Sequence, residues 1–247
     1  TETSKDGLLA GLRVIEMSHV MAAPTCGLML ADMGAEVIKV ERPDGDGVRR
    51  NAPHIDGYSA PFTMMNRNKR GIAINTKDAQ GLAALRRIVG SADIFIENYR
   101  PGAMDHYGIA FDDLKEDFPG LICCSLSGFG KSGPMGHLGG FDLVAQGMSG
   151  LMSITGEGHG RPPVKVGSPV TDIAAGILAA MSILGAVIQR QRTGRGQMVD
   201  TSLFEAGIAL TYWQSAIHLA SGEVPGAMGS AHPLMAPYQA FRTSDGW

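Results

Sequence analysis

Apolar positions along the 247-residue chain cluster in short strand-like runs that alternate with stretches of helical period. Residues 12–17, 36–41, 93–97, 121–126 and 198–201 read as strands, with a shorter one at 72–75. Residues 24–33 and 79–89 read as helices, the first with Pro24 in its opening turn. A long buried helix is expected from about 172 to 191, stopped at Thr193-Gly194, and a last helix over 203–220. This alternation predicts an α/β fold, a Rossmann-like open parallel sheet with flanking helices. The polar stretch 42–60 and the glycine-rich segment 127–140 are long loops, of the kind that usually carries function. Residues 238–241 read as one more strand, with a turn at Ser244-Asp245-Gly246 and no return strand before Trp247. The chain is therefore expected to be a fragment of a longer protein.

Charge narrows the partners. Charged residues are 18% of the chain, both signs are interspersed and the net charge is −3, which leaves no basic footprint for nucleic acid or an anionic membrane. A small-molecule partner is expected. Three cysteines, two of them adjacent at Cys123-Cys124, fit neither a disulfide framework nor metal-ligand spacing, so a reducing compartment and no metal are expected. Residues 1–7 are polar and read as a loose terminus without a leader, so a cytoplasmic protein is expected. Residues 173–188 are apolar throughout but shorter than a bilayer requires, and read as a core helix.

Common cofactor signatures are missing. The segment after the first strand, Ser18-His19-Val20-Met21-Ala22-Ala23-Pro24, lacks the G-x-G-x-x-G of a dinucleotide site. Gly130-Lys131-Ser132 imitates the end of a phosphate-binding loop, but the first glycine of that motif would fall on Ser125. Neither H-E-x-x-H nor G-x-S-x-G occurs. What remains is a set of residues at the carboxyl ends of predicted strands, where open parallel sheets hold ligands. His19, Arg42, Asn98, Arg100 and the 127–130 turn are in such places. Each alone reads first as a cap, a turn or a solvated charge; together they describe a cation-bearing rim suited to a phosphorylated nucleotide. Asp172 has two readings. It is a favoured N-cap residue for a helix starting at Ile173. It is also a carboxylate that the helix dipole keeps ionised, beside the small residues Ala174, Ala175 and Gly176, as a nucleophile requires.

Several separated motifs carry a family resemblance: GLRVIEMSHVMAAPTCGLMLADMGAEVIKVERPDGD, then NRNKRGIAIN, ENYRPGAMDHYG, LSGFGKSGP, GGFDLVAQGMSGLMSITG, VTDIAAGILAA, RTGRGQMVDTSLFE and PYQAFRTSDG. In that order the chain resembles the class III CoA transferases, relatives of formyl-CoA and carnitine CoA transferases of the CaiB/BaiF type. The resemblance implies an enzyme that moves coenzyme A from an acyl-CoA to a free carboxylic acid, with Asp172 as the catalytic residue that forms an aspartyl anhydride and then an aspartyl-CoA thioester. It implies that His19, Val20, Ala22, Arg42, Ile74, Lys77, Asn98, Tyr99, Arg100, Ala103 and His106 contribute to the coenzyme A site. It further implies an interlocked homodimer, with residues 8–222 the N-terminal part of the large CoA-binding domain and 223–247 a linker and the start of a truncated small domain. His106 replaces an arginine of some members, Gly139 a lysine and Met21 a glutamine of the formyl-CoA type, so formate and oxalate are not the expected substrates. Two alternatives stand beside transfer. An α-methylacyl-CoA racemase needs an acid/base pair, and carries histidine where this chain has Phe141 and a glutamate near Arg242. A non-catalytic CoA-binding fragment needs no nucleophile at all.

Overall fold

The computed structural model describes residues 7–158 and 160–247. The expected terminal segment 1–7 thus lies, apart from Gly7, outside the described residues. In chain order, β1 (Arg13–Met17), α1 (Ala22–Asp32) and β2 (Glu36–Glu41) form the first parallel unit. The long loop after β2 carries a 3-10 turn, Gly47–Arg50, a small antiparallel ribbon of β3 (His54–Ile55) and β4 (Tyr58–Ser59), and helix α2 (Ala60–Asn66). Next come β5 (Lys69–Ala73), α3 (Ala79–Gly90), β6 (Ile94–Glu97), α4 (Ala103–Tyr107), α5 (Phe111–Leu114) and β7 (Ile122–Ser127). The described chain continues through α6 (Asp142–Met148), α7 (Val170–Thr193), β8 (Met198–Ser202), α8 (Leu203–Ala209) and α9 (Tyr212–Ser221). Six strands pair in the order β5-β2-β1-β6-β7-β8, all parallel, as the strand–helix alternation predicts.

The central strands β6 and β7 are buried on both faces, and their successive side chains enter opposite layers. Ile94 and Ile96 of β6 pack with Val14, Cys124, Ala175, Ala179 and Ile183 in the layer of α1 and α7. Phe95 between them packs the other way, with Leu85 and Val89 of α3, Met104 of α4 and Leu114 of α5. Among the described residues α7 is the one helix long and apolar enough to cross a membrane, but its buried side chains lie in the core shared with α1.

Four expectations are corrected. The short strand is not 72–75 but Lys69–Ala73, displaced toward its charged end because Lys69 is drawn inward to Glu16 at 2.7 Å. The long helix begins at Val170, so Asp172 lies inside its first turn. The helix expected over 203–220 breaks between α8 and α9, where Thr211 Oγ1 donates to the Ile208 carbonyl at 2.8 Å and competes with the helical ladder. Residues 238–241 form no strand; their backbone bonds to residues 230–232, with the Tyr238 ring stacked on His232 at 5.1 Å.

Candidate active site

β1 lies between β2 and β6, where the order of strands reverses, and open parallel sheets place ligands in the crevice at such a point. The two strands end side by side and their following residues lock together. Asn98 accepts from the His19 amide at 3.0 Å and donates its own amide to the His19 carbonyl at 2.8 Å. Val20 next to it has φ 63°, a left-handed backbone that a β-branched side chain rarely adopts. The Asn98 clamp holds the peptide of His19 beside this strained turn. The His19 and Tyr99 rings meet edge to face at 5.1 Å.

Asp172 reaches the same crevice from α7. Four residues further on, Gly176 lies on the same helical face, and a Cβ there would come within 2.5 Å of the Ala22 carbonyl oxygen. That close approach brings the start of α7 against the start of α1, whose first turn has no side-chain cap. Asp172 does not cap α7 either. The capping is supplied in trans by Asp142 of α6, which accepts from the Thr171 amide at 2.9 Å and from Thr171 Oγ1 at 2.7 Å, while its other oxygen takes Gln146 Nε2 at 2.7 Å. Asp172 is thereby left free for the crevice. Burial, with the negative charge of Asp142 nearby, pushes its carboxyl from 3.8 up to about 6. The expectation that the helix terminus would simply hold it ionised is revised: it is ionised at neutral pH, but as a more basic carboxylate than an ordinary one.

A cleft of about 220 Å³ joins Asp172 to His19, Val20, Ala22, Asn98, Tyr99 and Arg100, and Leu138, Gly139, Gly140 and Phe141 of the glycine-rich loop line its other side. A second cavity of about 510 Å³ adjoins it at His19, Val20 and Tyr99 and runs to Arg42 and the 45–51 loop. Arg42 pairs with Asp44 at 3.4 Å, both side chains more than half exposed, a weak contact that leaves the guanidinium free to turn toward an anion. Burial, aided by Lys39 and Arg42 and opposed by Asp46, holds the His19 imidazole below its usual value and so neutral at neutral pH. The remaining expected residues line neither cavity. Ile74 and Ala103 are packed in the core cluster that supports Tyr99. Lys77 is exposed beside Asn75, and the exposed His106 lies against Tyr107 at 5.6 Å. Asp142 was not among the expected site residues; its one signal is an acidic residue opening a helical run straight after Gly139-Gly140-Phe141.

The chain is thus an α/β protein of the open parallel-sheet class, whose members hold small ligands at the switch-point crevice. The family model of CoA-transferase family III matches residues 9–247, and the chain belongs to that family. The succinate–glutarate CoA-transferase of Agrobacterium fabrum is 42% identical over 247 residues, covering 97% of this chain and 62% of that protein. The succinyl-CoA:glutarate CoA-transferase of Mus musculus is 40% identical over 241 residues, 97% of this chain and 55% of the relative. The crystal structure of a CaiB/BaiF family protein from Brucella suis matches with a TM-score of 0.91 at 42% identity, covering 97% of this chain and 65% of that one. The chain thus spans between about half and two thirds of the length of these relatives.

Proposed function

We propose that the whole protein transfers coenzyme A from an acyl-CoA donor to a free carboxylic acid, with Asp172 as the nucleophile. The observation that carries this reading is an uncapped carboxylate raised to about 6, facing a cleft continuous with a cavity that ends at Arg42. In the first step an Asp172 oxygen attacks the thioester carbonyl and expels CoA thiolate, leaving a mixed anhydride. The thiolate attacks the aspartyl carbonyl, releases the donor carboxylate and leaves an aspartyl-CoA thioester. An acceptor carboxylate then attacks that carbonyl, forming a second anhydride and freeing the thiolate. Attack of the thiolate on the acceptor carbonyl yields the new acyl-CoA and restores Asp172.

Both activated intermediates would hydrolyse in open water, so the cleft must exclude it. The glycine-rich loop lies where such a cover is needed. Arg100 is the one guanidinium lining the cleft among the described residues, and suits an acyl group with a second carboxylate. The names of the two glutarate transferases agree with a dicarboxylic donor and acceptor. An interlocked homodimer in the cytoplasm completes this reading, with residues 223–247 leading into a small domain. The test is conversion of glutarate to glutaryl-CoA from succinyl-CoA by the whole protein, followed chromatographically. Transfer that falls by orders of magnitude in Asp172→Asn supports the reading. A variant that keeps more than about a tenth of wild-type turnover, a barrier change under about 1.4 kcal/mol, contradicts it.

A further inference from the structure

Beneath the second cavity lie four charged groups closed off from solvent: Glu16 of β1, Lys39 of β2, Asp46 of the following loop and Lys69 of β5, with side chains 0, 2, 3 and 1% exposed. Glu16 takes Lys69 at 2.7 Å on one oxygen, and Lys39 at 3.3 Å with the Ser18 hydroxyl at 2.6 Å on the other. Helix α1 seals the cluster so tightly that a Cβ on Gly27 would come within 1.8 Å of Glu16 Oε2. Two ammonium and two carboxylate groups balance in charge. Replacing such buried pairs with apolar side chains of similar volume is often neutral or stabilising, so stability does not account for them.

Lys39 does something more specific. It donates to the Ser18 carbonyl at 2.9 Å, on the peptide that leads into His19, and reaches Asp46 Oδ2 at 3.2 Å. Asp46 in turn accepts from the Val48 amide at 3.0 Å and so starts the 3-10 turn of the loop that follows Arg42. One buried ammonium therefore ties together the two walls of the second cavity, the His19 turn and the 42–51 loop. Lys69 belongs to the same network but points the other way, donating to the Pro24 carbonyl of α1 at 2.8 Å and to Asn66 at 3.1 Å.

We propose that Lys39, acting through Ser18 and Asp46, is a positioning residue that sets the spacing of these walls and makes the cavity selective for the nucleotide part of coenzyme A. The inference rests on the reading of the cavity as a coenzyme A site. Lys39 is buried and does not line the cavity, so its effect is on recognition of the nucleotide and not on the acyl transfer itself.

The test compares Lys39→Met, Asp46→Asn and Lys69→Met in the whole protein. Calorimetry gives the affinities for CoA and for pantetheine, which lacks the nucleotide, and steady-state kinetics gives KM and kcat for succinyl-CoA. Asp46→Asn keeps the shape and the oxygen that accepts from Val48, so it reports even if Lys39→Met fails to fold. The expected result is a loss of CoA affinity of about tenfold or more in Asp46→Asn and Lys39→Met, with pantetheine binding unchanged and the loss appearing in KM and not in kcat. Lys69→Met lowers the melting temperature yet keeps the wild-type ratio of CoA to pantetheine affinity. A wild-type ratio in Asp46→Asn, or an equal change of ratio in Lys69→Met, overturns the assignment of Lys39 and leaves the coenzyme A site intact. A wild-type protein that binds CoA no better than pantetheine overturns the coenzyme A reading and the Lys39 role with it.

Discussion

Replacing Asp172 by asparagine is expected to make the protein more stable at neutral pH. Its carboxyl rises from 3.8 to about 6 on folding, and at 1.36 kcal/mol per pH unit that is at most about 3 kcal/mol of destabilisation carried by the ionised form. Because the folded value is the higher one, the folded state holds a proton between pH 3.8 and about 6 that the unfolded state has released. The cost is therefore absent at low pH, grows as pH rises through this window and is complete above about 6. Part of the carboxyl reaches solvent, so a gain of about 2 kcal/mol is expected for Asp172→Asn at pH 7, shrinking to a fraction of that near pH 4. No cap is lost to offset it, since Asp142 and not Asp172 accepts from the first-turn amide of α7. Urea unfolding of wild type and variant at both pH values, read at equal m, measures the difference. A variant less stable than wild type at pH 7, by the roughly 1 kcal/mol typical of a lost N-cap, would refute the assignment of strain to this carboxylate.

Asn98→Ala removes both side-chain bonds to the His19 backbone, and Arg42→Ala removes a guanidinium at the end of the second cavity; each should raise KM for acyl-CoA more than it lowers kcat in steady-state assays. Asp142→Asn removes the negative charge that helps raise Asp172, so the acid limb of the pH profile of kcat/KM should move to lower pH while the Thr171 cap survives. Gly176→Ala pushes a methyl group against the Ala22 carbonyl at 2.5 Å and should cost about 1–3 kcal/mol in thermal or chemical unfolding.

The strands were legible because their apolar runs are buried on both faces, as at β6 and β7. Strand β5 was misplaced because its first residues, Lys69 and Arg70, read as solvated charge, and the Glu16 that receives Lys69 is far away in sequence. The same ambiguity hid Glu16 and Lys39, each a single charge inside an otherwise apolar strand run with its partner far away in sequence. The rim residues His19, Arg42 and Asn98 were found because the carboxyl end of a parallel strand is a position that order along the chain predicts. The freedom of Asp172 was not legible. It depends on Asp142, 29 residues before Thr171, arriving to cap that residue, and local pattern could not separate a capping from a reacting carboxylate.

As the nucleophile, Asp172 is expected to form a covalent acyl link during transfer. An aspartyl anhydride or thioester reacts with hydroxylamine to give a stable hydroxamate, whereas a carboxylate in a helix does not. The measurement is peptide mass spectrometry of the whole protein incubated with succinyl-CoA and hydroxylamine, with free CoA in place of the thioester as control. A hydroxamate at Asp172 that requires the thioester, and that is absent in Asp172→Asn, is the result expected. An unmodified Asp172 in a protein that is turning over the thioester, or a hydroxamate confined to another carboxylate, would contradict the account.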